Sequence, residues 1–191
     1  MEKNREAWLR SAVGIIGPYV RERTGHEVPP DLWVSVGFPI NGARSRNGLK
    51  TIGECHYATD DGVPAVFIHP ELDDGARVLD VLLHEAVHAA LPVGTGHGRP
   101  FARAVEACGL AGKPTATVVA EGSPLADTIA GWLADLGDYP HAKVNTSNRK
   151  KQGTRMLKVE CPSDGYTVRT TAKWLAMGVP TCPCGTEMWE V

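Results

Sequence analysis

The sequence predicts an α+β fold in a larger amino-terminal domain, followed by a small β module. Three observations predict it. Between residues 32 and 70 the runs LWVSVGF, TIGECHYA and PAVFIHP are rich in β-branched and aromatic residues, as strands are. Next comes ARVLDVLLHEAVHAAL, an apolar run with no helix breaker until Pro92. Beyond a polar, basic stretch, Cys161, Cys182 and Cys184 stand among further strand-like runs. The expected division is a domain over 1–140, a basic linker over 141–155 and the small module over 156–191.

Taken in order, NREAWLRSAVGIIGPYVRER places Trp8, Leu9, Ala12, Ile15, Ile16 and Tyr19 at helical spacing with arginines between them. Pro18 should kink or break that helix. The strand over LWVSVGF follows the turn residues Gly25, Pro29 and Pro30. TIGECHYA and PAVFIHP are separated by TDDGV, a strong turn signal, so a hairpin is expected at 51–69. Asp73 and Asp74 can cap the long apolar helix. After the loop PVGTGHGR, PFARAVEACGL makes a short helix with Pro100 in its first turn and Gly109 at its carboxyl cap. SPLADTIAGWLADLG is a last helix, started at Ser123 and Pro124 and stopped at Gly137. YPHAKVNTSNRKKQGTR has few large apolar residues and reads as linker.

The chain has 191 residues, 42% hydrophobic and 22% charged, enough for one good core and an appendage. Residues 1–140 carry 12 Lys and Arg against 18 Asp and Glu, whereas 141–191 carry 8 against 4. A body near −6 and a tail near +4 suggest either that the tail meets a polyanion or that it is a solubilising linker, and charge alone does not choose between the two. No apolar run reaches the roughly 18 residues of a membrane span, and MEKNREAWLR lacks the pattern of a secretory signal. A cytoplasmic protein with no membrane partner is expected. Five cysteines, an odd number crowded toward one end, fit metal binding better than a disulfide framework.

The chemistry is concentrated in LLHEAVHAALPVGTGHG, residues 82–98. His84 and His88 are one helical turn apart and face the same way, so both rings can meet one metal ion. Pro92 ends the helix and Gly94, Thr95 and Gly96 let the chain reverse, which brings His97 within reach as a third ligand. Three protein ligands leave a position for water, the arrangement of hydrolytic zinc sites. Glu85 projects about 100° around the helix, beside the metal, as a base rather than a ligand. Zinc would acidify water and polarise a carbonyl, with Glu85 relaying the proton to the leaving amine. A chance match or a decayed, merely structural site is the plainer alternative. The intact glutamate and the third histidine past a glycine turn argue against it. His26, His56, His69 and His141 fall outside this pattern. Tyr57, on the strand before the helix, could steady an oxyanion, though a structural role is its default.

The stretch HEAVHAALPVGTGHGRPFARAVEACGL resembles the active-site region of the SprT-like family, with Phe101 at the family's phenylalanine position after the Gly-His-Gly turn. VSVGFP and the GECHYA hairpin are similar to the family's small sheet. With the cysteine tail, the likeness spans most of the chain. It implies a zincin-like metallopeptidase domain, His84, His88 and His97 on a catalytic zinc, Glu85 as general acid/base, and proteins as substrates, including proteins associated with DNA. The third histidine comes later than in the metzincin pattern.

In the tail, Cys161, Pro162, Ser163, Asp164, Gly165 and Tyr166 have the form of a zinc knuckle with Asp164 where a second cysteine is expected. Cys182 and Cys184 supply two more thiols. Three cysteines and Asp164 could hold a second, structural zinc in a ribbon-like module. The alternative is a metal-free ribbon held by Trp174, Leu175, Met188 and Trp189. Arg149, Lys150, Lys151 and Arg155 are the candidates for DNA contact through the basic tail. Two other functions compete with a peptidase. One is a non-catalytic nucleic-acid-binding accessory protein of transcription or DNA repair. The other is a cell-wall amidase, against which the absence of an export signal counts.

Overall fold

A computed structural model of the chain describes residues 4–40, 51–57, 59, 60, 62–145 and 156–191. The chain is mixed α and β and divides into two compact units, Met1–Asn145 and Thr146–Val191.

The first unit opens with α1, Arg5–Thr24, capped by Asn4, whose side chain accepts from the Ala7 N–H at 2.8 Å. The helix runs unbroken through Pro18, against the break the sequence allowed. Leu9, Ala12, Ile16 and Val20 are fully buried along one face. Their packing outweighs the roughly 3 kcal/mol of an internal proline, and the exposed side of the helix carries both Pro18 and Gly14, whose carbonyl loses its partner.

Strands β1 (Trp33–Val36), β2 (Gly53–His56) and β3 (Ala65–Ile68) form a sheet in the order β1-β3-β2. β2 and β3 are the expected antiparallel hairpin, with Gly53 opposite Ile68 and His56 opposite Ala65. β1 lies parallel to β3 on its other side. Val34, Val66 and Ile68 are buried with the helices.

Helix α2, Gly75–Ala90, lies at the centre. Asp74 caps it, accepting from the Arg77 N–H at 2.8 Å. Val78, Leu79, Leu82, Leu83, Ala86 and Val87 are fully buried against α1, the sheet and the later helices. Each large side chain so buried contributes roughly 1.5–3 kcal/mol, which fixes the rotation of α2 and hence the direction of every side chain on it. α3 (Arg99–Ala107) and α4 (Pro124–Leu136, capped by Ser123) follow. Between them the chain forms a hairpin of β4 (Ala111–Lys113) and β5 (Ala116–Val118), which the sequence reading did not identify.

The first unit continues past residue 140. Arg5, only 7% exposed, donates to the carbonyls of Pro70, Pro140, His141 and Ala142 at 2.9–3.3 Å. Trp8 donates to Gly137 and stacks edge-on with Tyr139. Four carbonyls left facing a void would be costly, so Arg5→Ala is expected to destabilise this unit by about 2–3 kcal/mol, read as a lowered melting temperature.

The second unit has β6 (Met156–Glu160), β7 (Thr167–Thr171), a single helical turn α5 (Ala172–Leu175) and β8 (Trp189–Glu190). The sheet is antiparallel in the order β7-β6-β8. Its buried cluster is Val159, Cys161, Cys182 and Met188, flanked by Val168 and Leu175. Trp174 and Trp189 are more than half exposed, so they do not form the core that a metal-free ribbon would need. Among the described residues no helix is long and apolar enough to cross a membrane.

Candidate metal centres

His84 and His88 come from α2, and His97 from the loop beyond it, turned back by Gly94 and Gly96 at φ 88° and 52°. One ring nitrogen from each of the three lies within 4.8 Å of the other two. Nε2 of His88 and Nε2 of His97 are 3.2 Å apart. Two imidazoles on one tetrahedral zinc, with bonds of about 2.0–2.1 Å, hold their nitrogens roughly 3.3 Å apart, so the donor set fits such an ion. His84 turns Nδ1 to the Thr117 hydroxyl at 2.8 Å, which leaves Nε2 as its ligand nitrogen.

Phe101 floors the cluster. Its ring stacks on His88 at 3.9 Å and 16°, and meets His84 and His97 at 5.0 and 5.2 Å. α3 delivers it, fully buried, from the turn that begins at Gly98. Burial drives the His84 and His88 rings toward neutrality. His84 is pushed down to about 4 by burial, then by His97 and Arg77, and His88 down to about 3 by burial, then by His84 and His97. Their lone pairs are therefore available at neutral pH.

Glu85 is 6% exposed and lies beneath β2. Burial, then the nearby Glu54 carboxylate, pushes it up to about 8. A divalent cation in the histidine cluster would act in the opposite direction and favour the carboxylate. The space for Glu85 is made by Gly53, where an added Cβ would stand 2.6 Å from Glu85 Oε1. The Tyr57 hydroxyl donates to the His88 carbonyl at 2.5 Å, so the phenol holds the end of α2 and is not turned out as an oxyanion donor.

In the second unit Cys161, Asp164, Cys182 and Cys184 bring one ligand atom each within 4.8 Å of the others. Cys161 Sγ is 3.5 Å from Cys184 Sγ, and Cys182 Sγ is 3.3 Å from Asp164 Oδ2. With Zn–S near 2.3 Å, tetrahedral thiolates sit roughly 3.8 Å apart, so this set also fits a cation. Two knuckles present it, turned by Gly165 and Gly185 at φ 74° and 88°. The Tyr166 N–H, 3.0 Å from Asp164 Oδ1, then the thiols of Cys161 and Cys182, hold the Asp164 carboxyl below its usual range. The Thr186 hydroxyl, 3.3 Å from Cys184 Sγ, helps to lower that thiol.

Arg149, Lys150, Lys151 and Arg155, the DNA-contact candidates, lie outside the described residues. Of the other tail cations, Lys158 pairs with Glu160 at 2.5 Å and Lys173 sits over the Trp174 ring at 5.0 Å. The sequence reading missed Gly53 and Thr117. A glycine within a strand signals a close approach, and TATVV is a β-branched run after a turn, so both had a signal. Against protein-family models, curated proteins and solved structures alike the chain finds no match, and its functional reading stands on these two clusters.

Proposed function

We propose that this chain is a zinc-dependent endopeptidase of SprT-like type, with a zincin-like first unit and a zinc ribbon-like second one. The observation that carries this reading is the convergence of His84, His88 and His97 within 4.8 Å, with the Glu85 carboxylate on the same helix. His84, His88 and His97 would hold the catalytic ion. When bound, zinc supplies Lewis acidity, polarising the scissile carbonyl and making water a stronger acid.

The chain's own groups do the rest. Glu85 takes a proton from water as the water oxygen adds to the carbonyl carbon, and gives it to the nitrogen as the C–N bond breaks. Burial beneath β2 keeps that carboxylate away from bulk water and in one position. The Phe101 stack and the Thr117 contact restrain two of the rings. A scaffold that merely binds nucleic acid would gain nothing from a buried carboxylate, which costs free energy where it lacks a partner. Glu85 accepts no hydrogen bond among the described residues. The reading includes a cytoplasmic location, protein substrates near DNA, and DNA contact through Arg149, Lys150, Lys151 and Arg155. Cys161, Asp164, Cys182 and Cys184 would hold a second, structural zinc.

The test is Glu85→Gln. The variant is expected to keep zinc at the histidines and to lose about 10²–10⁴-fold in cleavage rate, measured on an unfolded protein substrate with and without DNA. A wild-type protein that takes zinc and cleaves nothing under either condition would return the chain to the accessory-protein reading.

A further inference from the structure

We propose that Thr117 is a positioning residue that fixes the tautomer and ring plane of His84, and that the β4–β5 hairpin serves to deliver it. This rests on the reading of the three histidines as a metal centre.

Leu110 before the hairpin and Val119 after it pack on the core, but its two strands add almost no apolar burial of their own. Of its six strand residues, Ala111, Gly112, Lys113, Ala116 and Val118 are exposed, and Thr117 alone is buried, at 7%. Two strands with so little apolar burial are marginal by themselves. The single side chain sent inward is a hydroxyl, which is unfavourable to bury unless it is bonded. Its partner is His84 Nδ1 at 2.8 Å.

A second tie lies one turn earlier on α2. Asp80, 5% exposed and paired with Arg77, faces the backbone N–H of Val119. Residues 80 and 84 are roughly 6.0 Å apart along a helix, and residues 117 and 119 roughly 6.6 Å apart along a strand. The spacings match, so the end of β5 docks on α2 at two points in register.

The consequence for His84 is chemical. When Nε2 gives its lone pair to a cation, the ring proton must sit on Nδ1, and that N–H needs an acceptor to hold the ring in plane. Thr117 Oγ1 is that acceptor. No other element in the described chain brings a polar side chain to this nitrogen.

The experiment compares wild type, Thr117→Val and Thr117→Ser as full chains. Zinc affinity is measured by competition with a chromophoric chelator, and ring ¹⁵N shifts of His84 report which nitrogen bears the proton and confirm that the histidine site is the one loading. Valine keeps the shape of threonine and removes the hydroxyl. We expect zinc binding at the histidines to weaken by about 10–100-fold in Thr117→Val, and Thr117→Ser to recover most of that loss. Should Thr117→Val fold poorly, Thr117→Ser with intact affinity and an Nδ1–H tautomer still supports the role. Wild-type affinity in Thr117→Val, or equal losses in both variants, overturns it while the metal centre stands. Failure of wild type to load the histidines overturns the metal reading and this inference with it.

Discussion

Stripping the metal from the full chain with excess chelator is expected to unfold the second unit and leave the first folded. The reason is the size of the two cores. The first unit buries a continuous cluster that runs from Trp8 on α1 through Leu82 on α2 to Trp132 on α4. The second has four buried residues among those described, and two of them, Cys161 and Cys182, are themselves candidate ligands. Val159 and Met188 with two flanking residues cannot offset the conformational entropy of so short a segment, which needs a staple. Structural zinc contributes roughly 10–16 kcal/mol in small finger peptides near neutral pH, far more than that core can. Without an ion, three sulfurs and the Asp164 carboxylate within 4.8 Å are joined only by weak thiol hydrogen bonds at 3.3–3.6 Å and a few contacts to neighbouring residues.

The measurement is a methyl NMR spectrum of Val159 and Val168 during chelation. Both are expected to collapse to random-coil positions while Val78 and Val87 in α2 keep their native shifts. Asp164→Cys, which completes a four-thiolate set, is expected to need more chelator for the same loss. Native shifts for Val159 and Val168 after the last equivalent of metal is gone would mean that the second unit is held by packing alone.

The parts of this molecule that the sequence disclosed are those fixed by local rules. α2 could be read because its apolar residues cover it nearly all round and Asp74 caps it. The β2–β3 hairpin could be read because a turn signal separates two strand-like runs. His84 and His88 follow from helical period, and His97 from a loop with glycines where φ must be positive. What escaped is what depends on tertiary approach. Pro18 carries a break signal that only the buried face of α1 overrides. Trp174 and Trp189 look like core residues and lie mostly in solvent, because the sheet of the second unit buries the face that carries Val159. The polar stretch from 141 reads as linker, yet its backbone carbonyls are gathered by Arg5, a contact across more than 130 positions. Thr117 stands in a β-branched run that signals a strand, but nothing local to that run says that its hydroxyl faces His84, 33 positions earlier.

Gly53 is the position where the smallest substitution is expected to have a large effect on catalysis. Its backbone is not in the left-handed region, so the glycine is not there to permit a turn. It is there for space. A Cβ at residue 53 would stand 2.5 Å from Val81 Cγ1, 2.6 Å from Glu85 Oε1 and 3.0 Å from Glu85 Cγ. Val81 and Glu85 are one turn apart on α2 and both buried, so neither can swing into solvent. Either β2 lifts from the helix or the carboxylate leaves its place. Overpacking of this kind costs about 1–3 kcal/mol of stability, whereas displacing a catalytic group by an ångström costs about 10²-fold in rate. Gly53→Ala is therefore expected to remain folded, to bind zinc through His84, His88 and His97, and to cleave about a hundredfold more slowly. Gly14→Ala on α1 is the control, since an added Cβ there meets nothing within 4 Å and a helix interior favours alanine by about 1 kcal/mol. If Gly53→Ala cleaves as fast as Gly14→Ala, the contact between β2 and Glu85 does not place the base, and the carboxylate must reach its working position by a movement that this packing does not control.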